Sequence, residues 1–455
     1  MAPLFTGRVR MIAVVMFLAL CVQGMAEDRH LVRLHSSSST DISSVAARYG
    51  ARVIGALRQS GGDKVYVIGV PDGQSGKGIL QRLKSDGAVA WAEQDSKVSL
   101  PMVTLKQGAA PPKLNMRNLL NLQKSRYNTY FGALAWNGYT AQPAASLIRV
   151  DDSHRYATGS GVVAVIDTGV DLWHPALIQS ILYGWDFTRN IWGGSERPDL
   201  NDQEVTPILD DQEVTPILDS GGLVILNDQE VTPILDDQEV TPILDHKIPV
   251  ALGHGTMTAG IIHLIAPTAR IMPLKAFKSD GSAQISDIVA AIYWAVDHGA
   301  DVISMSFDTR SGSAELKKAI DYAVSKDVVL VASVGNDGQD VDVYPAAYAK
   351  VLGVGSTGAR DSRSAFSNFG DTVDISAPGE GIISTFPDNR YAAGWGTSFS
   401  APMVAGAAAL MNQIKWKITS DQIAAAISQA AKVSSPGMGA GRLDLFKACK
   451  YASEH

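Results

Sequence analysis

The chain has 455 residues and a formal charge of −7, from 39 Lys and Arg residues against 46 Asp and Glu residues. Hydrophobic residues make up 46% of the chain and charged residues 19%, which excludes a wholly disordered or collagen-like protein. The mild acidic balance gives no reason to expect a nucleic-acid partner. The length is enough for about three structural units of ordinary size.

The first 26 residues have the pattern of a secretory signal peptide. Arg8 and Arg10 precede an apolar run over residues 11–22, and small residues lie just before a cut after Ala26. An anchoring helix is the less favoured alternative, because the apolar run is short for a bilayer. We therefore expect a secreted or periplasmic protein.

The cysteine content excludes an internal disulfide in the mature protein. The two cysteines are Cys21, which leaves with the signal peptide, and Cys449. The mature protein cannot form an internal disulfide, so its stability must come from the core, from bound calcium or from both. The sequence assigns no function to Cys449.

Residues 27–100 predict a small α+β domain. Strand and helix periods follow one another in the order β-α-β-β-α-β, over residues 30–35, 41–49, 52–58, 64–70, 78–85 and 89–93. This order predicts a ferredoxin-like unit. Residues 101–139 show no sustained period, and we interpret them as a linker with one short helix at 116–124.

Residues 140–455 predict an α/β domain. From Gly161 onward, continuous apolar runs alternate with helical patterns. Such a pattern indicates a mostly parallel buried sheet with helices on both faces. Active sites in these sheets gather at the carboxyl ends of the strands.

Four identical nonamers, Asp-Gln-Glu-Val-Thr-Pro-Ile-Leu-Asp, lie within residues 201–245 of this domain. Each copy has three acidic residues and no base, so the acidity of the chain belongs to this insertion. A proline in every copy breaks a helix or a central strand, and we interpret the copies as an extended or disordered surface excursion. The alternative is calcium or partner binding by stacked acidic units, although these units lack the glycines of calcium-binding repeats.

Three segments carry residue types suited to nucleophilic catalysis. An apolar strand ends in Asp167, His254 is flanked by glycines, and Ser398 lies where a glycine-rich loop becomes a helix. A serine there has free N–H groups and a positive helix end beside it, which suit a developing oxyanion. Taken singly, each has an alternative: a turn-capping Asp, a structural His and an N-cap Ser.

Other catalytic classes are disfavoured by their motifs. The serine segment is not Gly-x-Ser-x-Gly, which argues against an α/β-hydrolase. Neither His-Glu-x-x-His nor a cysteine pair supports a zinc site.

The three segments, in the order Asp, His, Ser, resemble the signatures of the subtilisin-like serine proteases. The resemblance implies that Ser398 is the nucleophile, that His254 is the general base and then acid, and that Asp167 fixes the imidazole tautomer. Residues 328–338 resemble the oxyanion-hole segment of that family. By resemblance, the side-chain amide of Asn336 donates to the tetrahedral intermediate.

The resemblance covers residues 140 to about 445 and extends upstream. Residues 29–95 resemble the inhibitory propeptide of the family, which assists folding and is then cut away. It implies that residues 27–100 are an intramolecular inhibitor and that the chain is made as a zymogen. The maturation cut is not visible between residues 96 and 139.

Residues 301–308 resemble the strand that pairs with the substrate, which implies that Ser306, Phe307 and Asp308 contact it. Because such pairing reads the main chain, broad specificity is expected. Relatives commonly have Gly where Asp308 stands, so we hypothesise that Asp308 biases cleavage toward basic residues. An outward-pointing carboxylate is the alternative.

The resemblance implies a monomeric serine endopeptidase that acts on protein or peptide substrates and needs no cofactor for its chemistry. Structural calcium is possible, with no ligands assigned. One calcium site looks incomplete, because Ala176 stands where many relatives carry an Asp. The alternative is a non-catalytic protein of this fold whose acidic insertion binds a partner or calcium.

Overall fold

The computed structural model describes residues 28–57, 64–71, 73–101, 127–201, 223–225, 251–415 and 417–455. The predicted signal peptide, the predicted helix at 116–124 and the four nonamers lie outside the described residues. In the described ranges, no helix is both long and apolar enough to cross a bilayer.

The strands of the described residues are numbered in chain order. They are β1 (Asp28–Leu34), β2 (Arg52–Leu57), β3 (Val65–Val70), β4 (Val89–Gln94), β5 (Lys97–Ser99), β6 (Tyr127–Tyr130), β7 (Ala133–Trp136), β8 (Val162–Asp167), β9 (Gly184–Asp186), β10 (Ile191–Gly193), β11 (Leu223–Ile225), β12 (Arg270–Lys275), β13 (Ser282–Gln284), β14 (Val302–Met305), β15 (Val329–Ser333), β16 (Val351–Thr357), β17 (Ile375–Pro378), β18 (Ile382–Phe386) and β19 (Arg390–Gly394).

The helices are numbered in the same way. They are α1 (Ile42–Arg48), α2 (Gly76–Lys84), α3 (Asn137–Thr140), α4 (Pro143–Leu147), α5 (Val150–Ser153), α6 (Arg197–Asn201), α7 (His254–Ile265), α8 (Ile285–Asp297), α9 (Ala314–Ser325), α10 (Thr397–Ile414), α11 (Ser420–Ile427) and α12 (Leu445–Glu454).

The N-terminal unit is a four-stranded sheet in the order β2-β3-β1-β4, with β1 antiparallel to both β3 and β4. Asp41 caps α1 by accepting the Ser44 N–H at 2.9 Å, and Ser75 caps α2. Both helices pack on one face of the sheet around a core that includes Val32 and Leu83. The order of strands and helices is the one predicted from the sequence.

The larger sheet has the order β10-β9-β12-β8-β14-β15-β16-β17, and the pairs from β9 to β17 are parallel. Along β8, Val163 and Val165 face one apolar cluster, while Ala164 and Ile166 face the other. Helices α7 and α10 pack in the first cluster, and α8 and α9 pack in the second. The predicted parallel sheet with helices on both faces is therefore confirmed, and the strand that ends in Asp167 lies at its centre.

Residues 127–139 differ from the predicted linker. Strands β6 and β7 form an antiparallel hairpin that leads into α3. The Trp136 N–H donates to the Tyr391 hydroxyl at 3.1 Å, and the Tyr139 hydroxyl donates to the Gly260 carbonyl at 2.6 Å. Four-residue strands are too short to show a period, and partners so distant in sequence hold this hairpin in place.

The insertion between Asp167 and His254 also contributes a strand. Strand β11 lies between the two pairs of nonamers and pairs in parallel with β19, which is itself antiparallel to β18. The middle of the inserted stretch is thus part of a three-stranded sheet of the catalytic domain.

Helix α10 crosses the core as the run of small residues predicts, because every residue from 397 to 411 is buried. Its contact with α7 is close at Gly406, where an added Cβ would lie 2.9 Å from the Ile265 Cβ. The absence of a side chain at Gly406 lets the two helices approach.

We expect Gly406→Val to lower the free energy of unfolding by about 1–3 kcal/mol, because the added methyl groups overpack this contact. Urea unfolding in a Ser398→Ala background measures the change without self-digestion. Gly312→Val is the matched control, since a Cβ there would meet the Tyr344 ring at an ordinary 3.4 Å. Equal unfolding midpoints for the two variants would contradict this account of the helix contact.

Candidate active site

The predicted catalytic residues meet at the carboxyl edge of the large sheet. Asp167 is the last residue of β8, Ser306 directly follows β14, and Asn336 lies shortly after β15. His254 begins helix α7, and Ser398 is in the first turn of α10. The topology therefore brings together residues that are far apart in the sequence.

Asp167 and His254 form a buried pair. The Nδ1 atom of His254 lies 2.8 Å from Oδ1 and 2.9 Å from Oδ2 of Asp167. The carboxylate also accepts the Thr168 N–H at 2.7 Å and the Thr258 hydroxyl at 3.3 Å. Because Asp167 faces Nδ1, the ring carries its proton there and leaves Nε2 able to accept one.

Ser398 is fully buried beside the end of β14. Its hydroxyl donates to the Ser306 carbonyl at 3.3 Å, and the Ser306 hydroxyl donates to the Ser398 carbonyl at 2.9 Å. The ring of the next residue, Phe399, has its centroid 5.6 Å from that of His254. The first turn of α10 therefore packs against the first turn of α7.

The Asn336 amide has a fixed orientation. Its Oδ1 accepts the N–H and the hydroxyl of Thr397, both at 2.9 Å. Its Nδ2 donates to the Pro101 carbonyl at 3.0 Å. Because Thr397, the chain neighbour of Ser398, holds Oδ1, the Nδ2 group of Asn336 faces the Pro101 carbonyl.

Residues 97–101 run through this edge of the domain as an extended strand. Strand β5 is antiparallel to β13, and the Leu100 N–H donates to the Gly281 carbonyl at 2.9 Å. On its other side, Ser99 forms an antiparallel bridge with Asp308. The segment is paired on both sides and ends with its Pro101 carbonyl at the amide of Asn336.

The three residues predicted to bind substrate have different surroundings. The Phe307 side chain is buried in the core, with its ring centroid 5.1 Å from that of Phe277, so the ring is not available to a substrate. Ser306 contacts Ser398, as described above. Asp308 pairs with Ser99 through its backbone and turns its carboxyl group toward Gly335, whose added Cβ would lie 2.9 Å from Oδ2.

The Asp308 carboxyl group is electrostatically unusual. Its Oδ2 is buried and has no hydrogen-bond partner among the described residues. Burial raises the pKa of Asp308 to about 7, and Asp337 adds to this while Arg310 opposes it. The group therefore changes its charge near neutral pH.

A metal site does not emerge from the part of the chain that the structure describes. No group of three or more His, Cys, Asp or Glu side chains there is arranged to hold a metal ion. Ala176 is buried behind His174, whose Nδ1 accepts the Ala176 N–H at 3.2 Å. Calcium binding stays a prediction without ligands.

Sequence reasoning missed several residues of the site. Thr397 orients Asn336, and Thr258 contacts Asp167. Residues 97–101, which we call the cleft segment, lie between β13 and Asp308 and end at Asn336. The threonines lie inside the recognised motifs, so their spacing was a usable signal. The cleft segment had no such signal, because the strands with which it pairs come well over a hundred residues later in the sequence.

Comparison with known families agrees with this geometry. Residues 159–444, more than half of the chain, match the model of the subtilase family. The chain belongs to the subtilase family.

Named relatives of this subtilase are themselves proteinases. The chain is 31% identical over 380 residues to the thermophilic serine proteinase of Bacillus sp. (strain AK1), covering 81% of this chain and 83% of the relative. It is 32% identical over 308 residues to thermitase of Thermoactinomyces vulgaris, covering 65% and 91%. Subtilisin DY of Bacillus licheniformis is 38% identical over 192 residues, covering 39% and 70%.

This subtilase is therefore a serine endopeptidase with proteins as substrates. The predicted resemblance to the subtilisin-like serine proteases and the predicted α/β fold class of the catalytic domain are confirmed. The alternative of a non-catalytic protein with this fold is not favoured.

Proposed function

We propose that this subtilase is secreted, hydrolyses peptide bonds through an acyl-enzyme on Ser398, and is made as a zymogen inhibited by its N-terminal unit. The observation that carries the proposal is the hydrogen bond of 3.0 Å from Asn336 Nδ2 to the Pro101 carbonyl. A peptide carbonyl whose oxygen accepts a hydrogen bond from a fixed side-chain amide is what the oxyanion hole of acyl transfer requires.

The chemistry follows from the contacts of each residue. Ser398 Oγ attacks the carbonyl carbon while its proton passes to Nε2 of His254, and Asp167 stabilises the imidazolium that forms. The carbonyl oxygen becomes an oxyanion that accepts the Nδ2–H of Asn336. The amine then leaves with the proton from His254, and water hydrolyses the resulting ester by the same steps in reverse.

Two carboxylates of the N-terminal unit support its role as an inhibitor. Glu93 accepts the Ser313 hydroxyl at 2.5 Å and the Ala314 N–H at 3.0 Å, where α9 begins. Asp95 accepts the N–H and the hydroxyl of Ser286 at 2.8 and 2.9 Å, where α8 begins. Carboxylates are stabilised at the N-terminal ends of helices, so these contacts hold β4 against the catalytic domain.

Charge and apolar contacts extend this docking surface. Arg33 pairs with the buried Glu315 at 2.8 Å, and the Arg29 guanidinium donates to the Ser286 hydroxyl at 3.0 Å. Leu31 and Val67, on the sheet face away from α1 and α2, pack in the same cluster as α8 and α9. The N-terminal unit therefore lies on α8 and α9, and residues 97–99 pair with β13, which leads directly into α8.

Secretion rests on the signal-peptide pattern of the first 26 residues, and the monomeric state rests on the resemblance alone. The four nonamers have no place in this mechanism. The proposal treats them as an insertion that leaves the catalytic motifs on both sides intact.

Casein turnover after maturation tests the proposed mechanism. We expect Ser398→Ala to abolish turnover and Asn336→Ala to lower kcat about 10²- to 10³-fold, the loss measured for such a donor in subtilisin. Gln429→Ala, which removes an exposed amide far from the cleft, is the control with unchanged activity. Equal turnover by the wild type and Ser398→Ala would refute the assignment of the nucleophile.

We expect the first maturation cut at the Pro101–Met102 bond, because the Pro101 carbonyl is the one at Asn336. Mass spectrometry of the secreted chain then finds a prosegment that ends in Pro101. Met102→Pro removes the N–H of the leaving amine and blocks the cut, whereas Leu105→Pro leaves it in place. A prosegment with another C-terminus in the wild type would argue against this register.

Asp308 completes the proposal as a determinant of substrate preference. Since its pKa lies at about 7, the carboxylate is neutral below and charged above that pH. We expect preference for basic residues in a peptide library to increase from about pH 6 to about pH 8, and Asp308→Asn to abolish the increase. A profile that Asp308→Asn leaves unchanged at both pH values would show that the carboxylate does not set the preference.

A further inference from the structure

Glu196 is a buried acid that the mechanism above does not use. It is 1% exposed and lies in the stretch between Asp167 and His254, shortly before the first nonamer. A buried carboxyl group needs hydrogen-bond partners to offset its desolvation. Within the part of the chain that the structure describes, the hydrogen bonds to its carboxylate all come from residues that flank His254.

The contacts of Glu196 enclose the start of helix α7. Oε2 accepts the Gly253 N–H at 2.5 Å, and Oε1 accepts the N–H and the hydroxyl of Thr256, both at 2.8 Å. His254, the proposed catalytic base, lies between Gly253 and Thr256 in the chain. One carboxylate therefore binds the backbone on both sides of the catalytic base.

Other contacts leave this backbone little room to move. The Gly255 N–H donates to the Thr168 hydroxyl at 3.0 Å, and Thr256 Oγ1 accepts the Asp171 N–H at 2.8 Å. Gly253 has a φ of +87°, and an added Cβ would lie 2.2 Å from the Phe386 ring. The first N–H groups of a helix have no partner within it, and here Glu196 supplies two of the missing acceptors.

The charges around Glu196 come from three elements. Burial raises the pKa of Glu196 to about 7, the bonds from Thr256, the Lys275 ammonium and the Gly253 N–H lower it, and Asp167 raises it further. Lys275 on β12 is itself buried, with Nζ 2.8 Å from Asp199 Oδ2. Asp167 lies on β8, and Gly253 and Thr256 lie at the start of α7.

We propose that Glu196 is a positioning residue for the catalytic base, because its carboxylate fixes the first turn of α7 and so holds His254 Nδ1 on Asp167. The proposal rests on the acyl transfer through His254 and Ser398 proposed above. Glu196, which lies just before the first nonamer, would thus affect catalysis through His254 and without contact with the substrate.

Kinetics of the matured enzyme provide the first test. Glu196→Gln keeps the shape of the side chain but turns an NH₂ group toward a backbone N–H, so we expect kcat to fall about 10- to 10²-fold. KM stays nearly unchanged, because substrate binding is not affected. Thr256→Val removes one of the three bonds and gives a smaller fall in kcat.

Ile262→Val is the matched control for stability. Ile262 is a fully buried residue further along α7, and the substitution destabilises the same helix without touching Glu196. We expect it to lower the unfolding midpoint and to leave kcat unchanged. A loss of kcat in Ile262→Val equal to that in Glu196→Gln would overturn the positioning role in favour of a purely structural one.

Proton NMR of the uncut chain is a second test that does not depend on maturation. In the Ser398→Ala background, the Nδ1 proton of His254 gives the downfield signal of a histidine–carboxylate hydrogen bond. We expect Glu196→Gln to shift or broaden this signal, and Ile262→Val to leave it in place.

The outcomes separate this proposal from the proposed function. Wild-type kcat in Glu196→Gln, or an unaltered His254 signal, would overturn the role of Glu196 while Ser398→Ala stays inactive. Equal casein turnover by the wild type and Ser398→Ala would overturn the proposed mechanism, and with it the catalytic meaning of the Glu196 contacts.

Discussion

The hydrogen bond between Asp167 and His254 joins the end of the central strand to the start of a helix. A carboxylate buried at that depth is tolerated only when its oxygens are satisfied, and here His254, Thr168 and Thr258 all donate to it. The chain between Asp167 and His254, whatever its length, must bring His254 back to the end of β8 for this hydrogen bond to form. The parallel sheet supplies that point, because its carboxyl edge also receives Ser306 and Asn336.

Carboxylates at helix N-terminal ends recur through the molecule. Glu93 and Asp95 lie at the starts of α9 and α8, and Glu196 lies at the start of α7. The first two connect separate units of the chain, whereas Glu196 acts within the catalytic domain. The same electrostatic preference of an anion for unpaired backbone N–H groups thus serves docking in two places and alignment in the third.

Apolar runs and glycine-flanked motifs are local signals, so the sequence was sufficient to predict the sheet and its helices and to single out Asp167, His254 and Ser398, which lie together at the carboxyl edge. It was insufficient for residues 127–136, whose short strands depend on Tyr391 and other distant partners. Glu196 lacks any surrounding pattern, since Gly253 is 57 residues away. Phe307 belongs to a motif, yet tertiary packing turns its ring into the core, which no spacing reveals.

The bond between Glu196 and Gly253 also fixes the two ends of the stretch that contains the nonamers. For a segment with fixed ends, each doubling of length costs only about 0.6 kcal/mol of closure entropy. A change in the number of nonamers therefore adds little closure cost as long as β11 keeps its pairing with β19. A foreign peptide or a binding module can therefore be inserted between Glu196 and Gly253 on condition that the contacts of Glu196 with the start of α7 are kept.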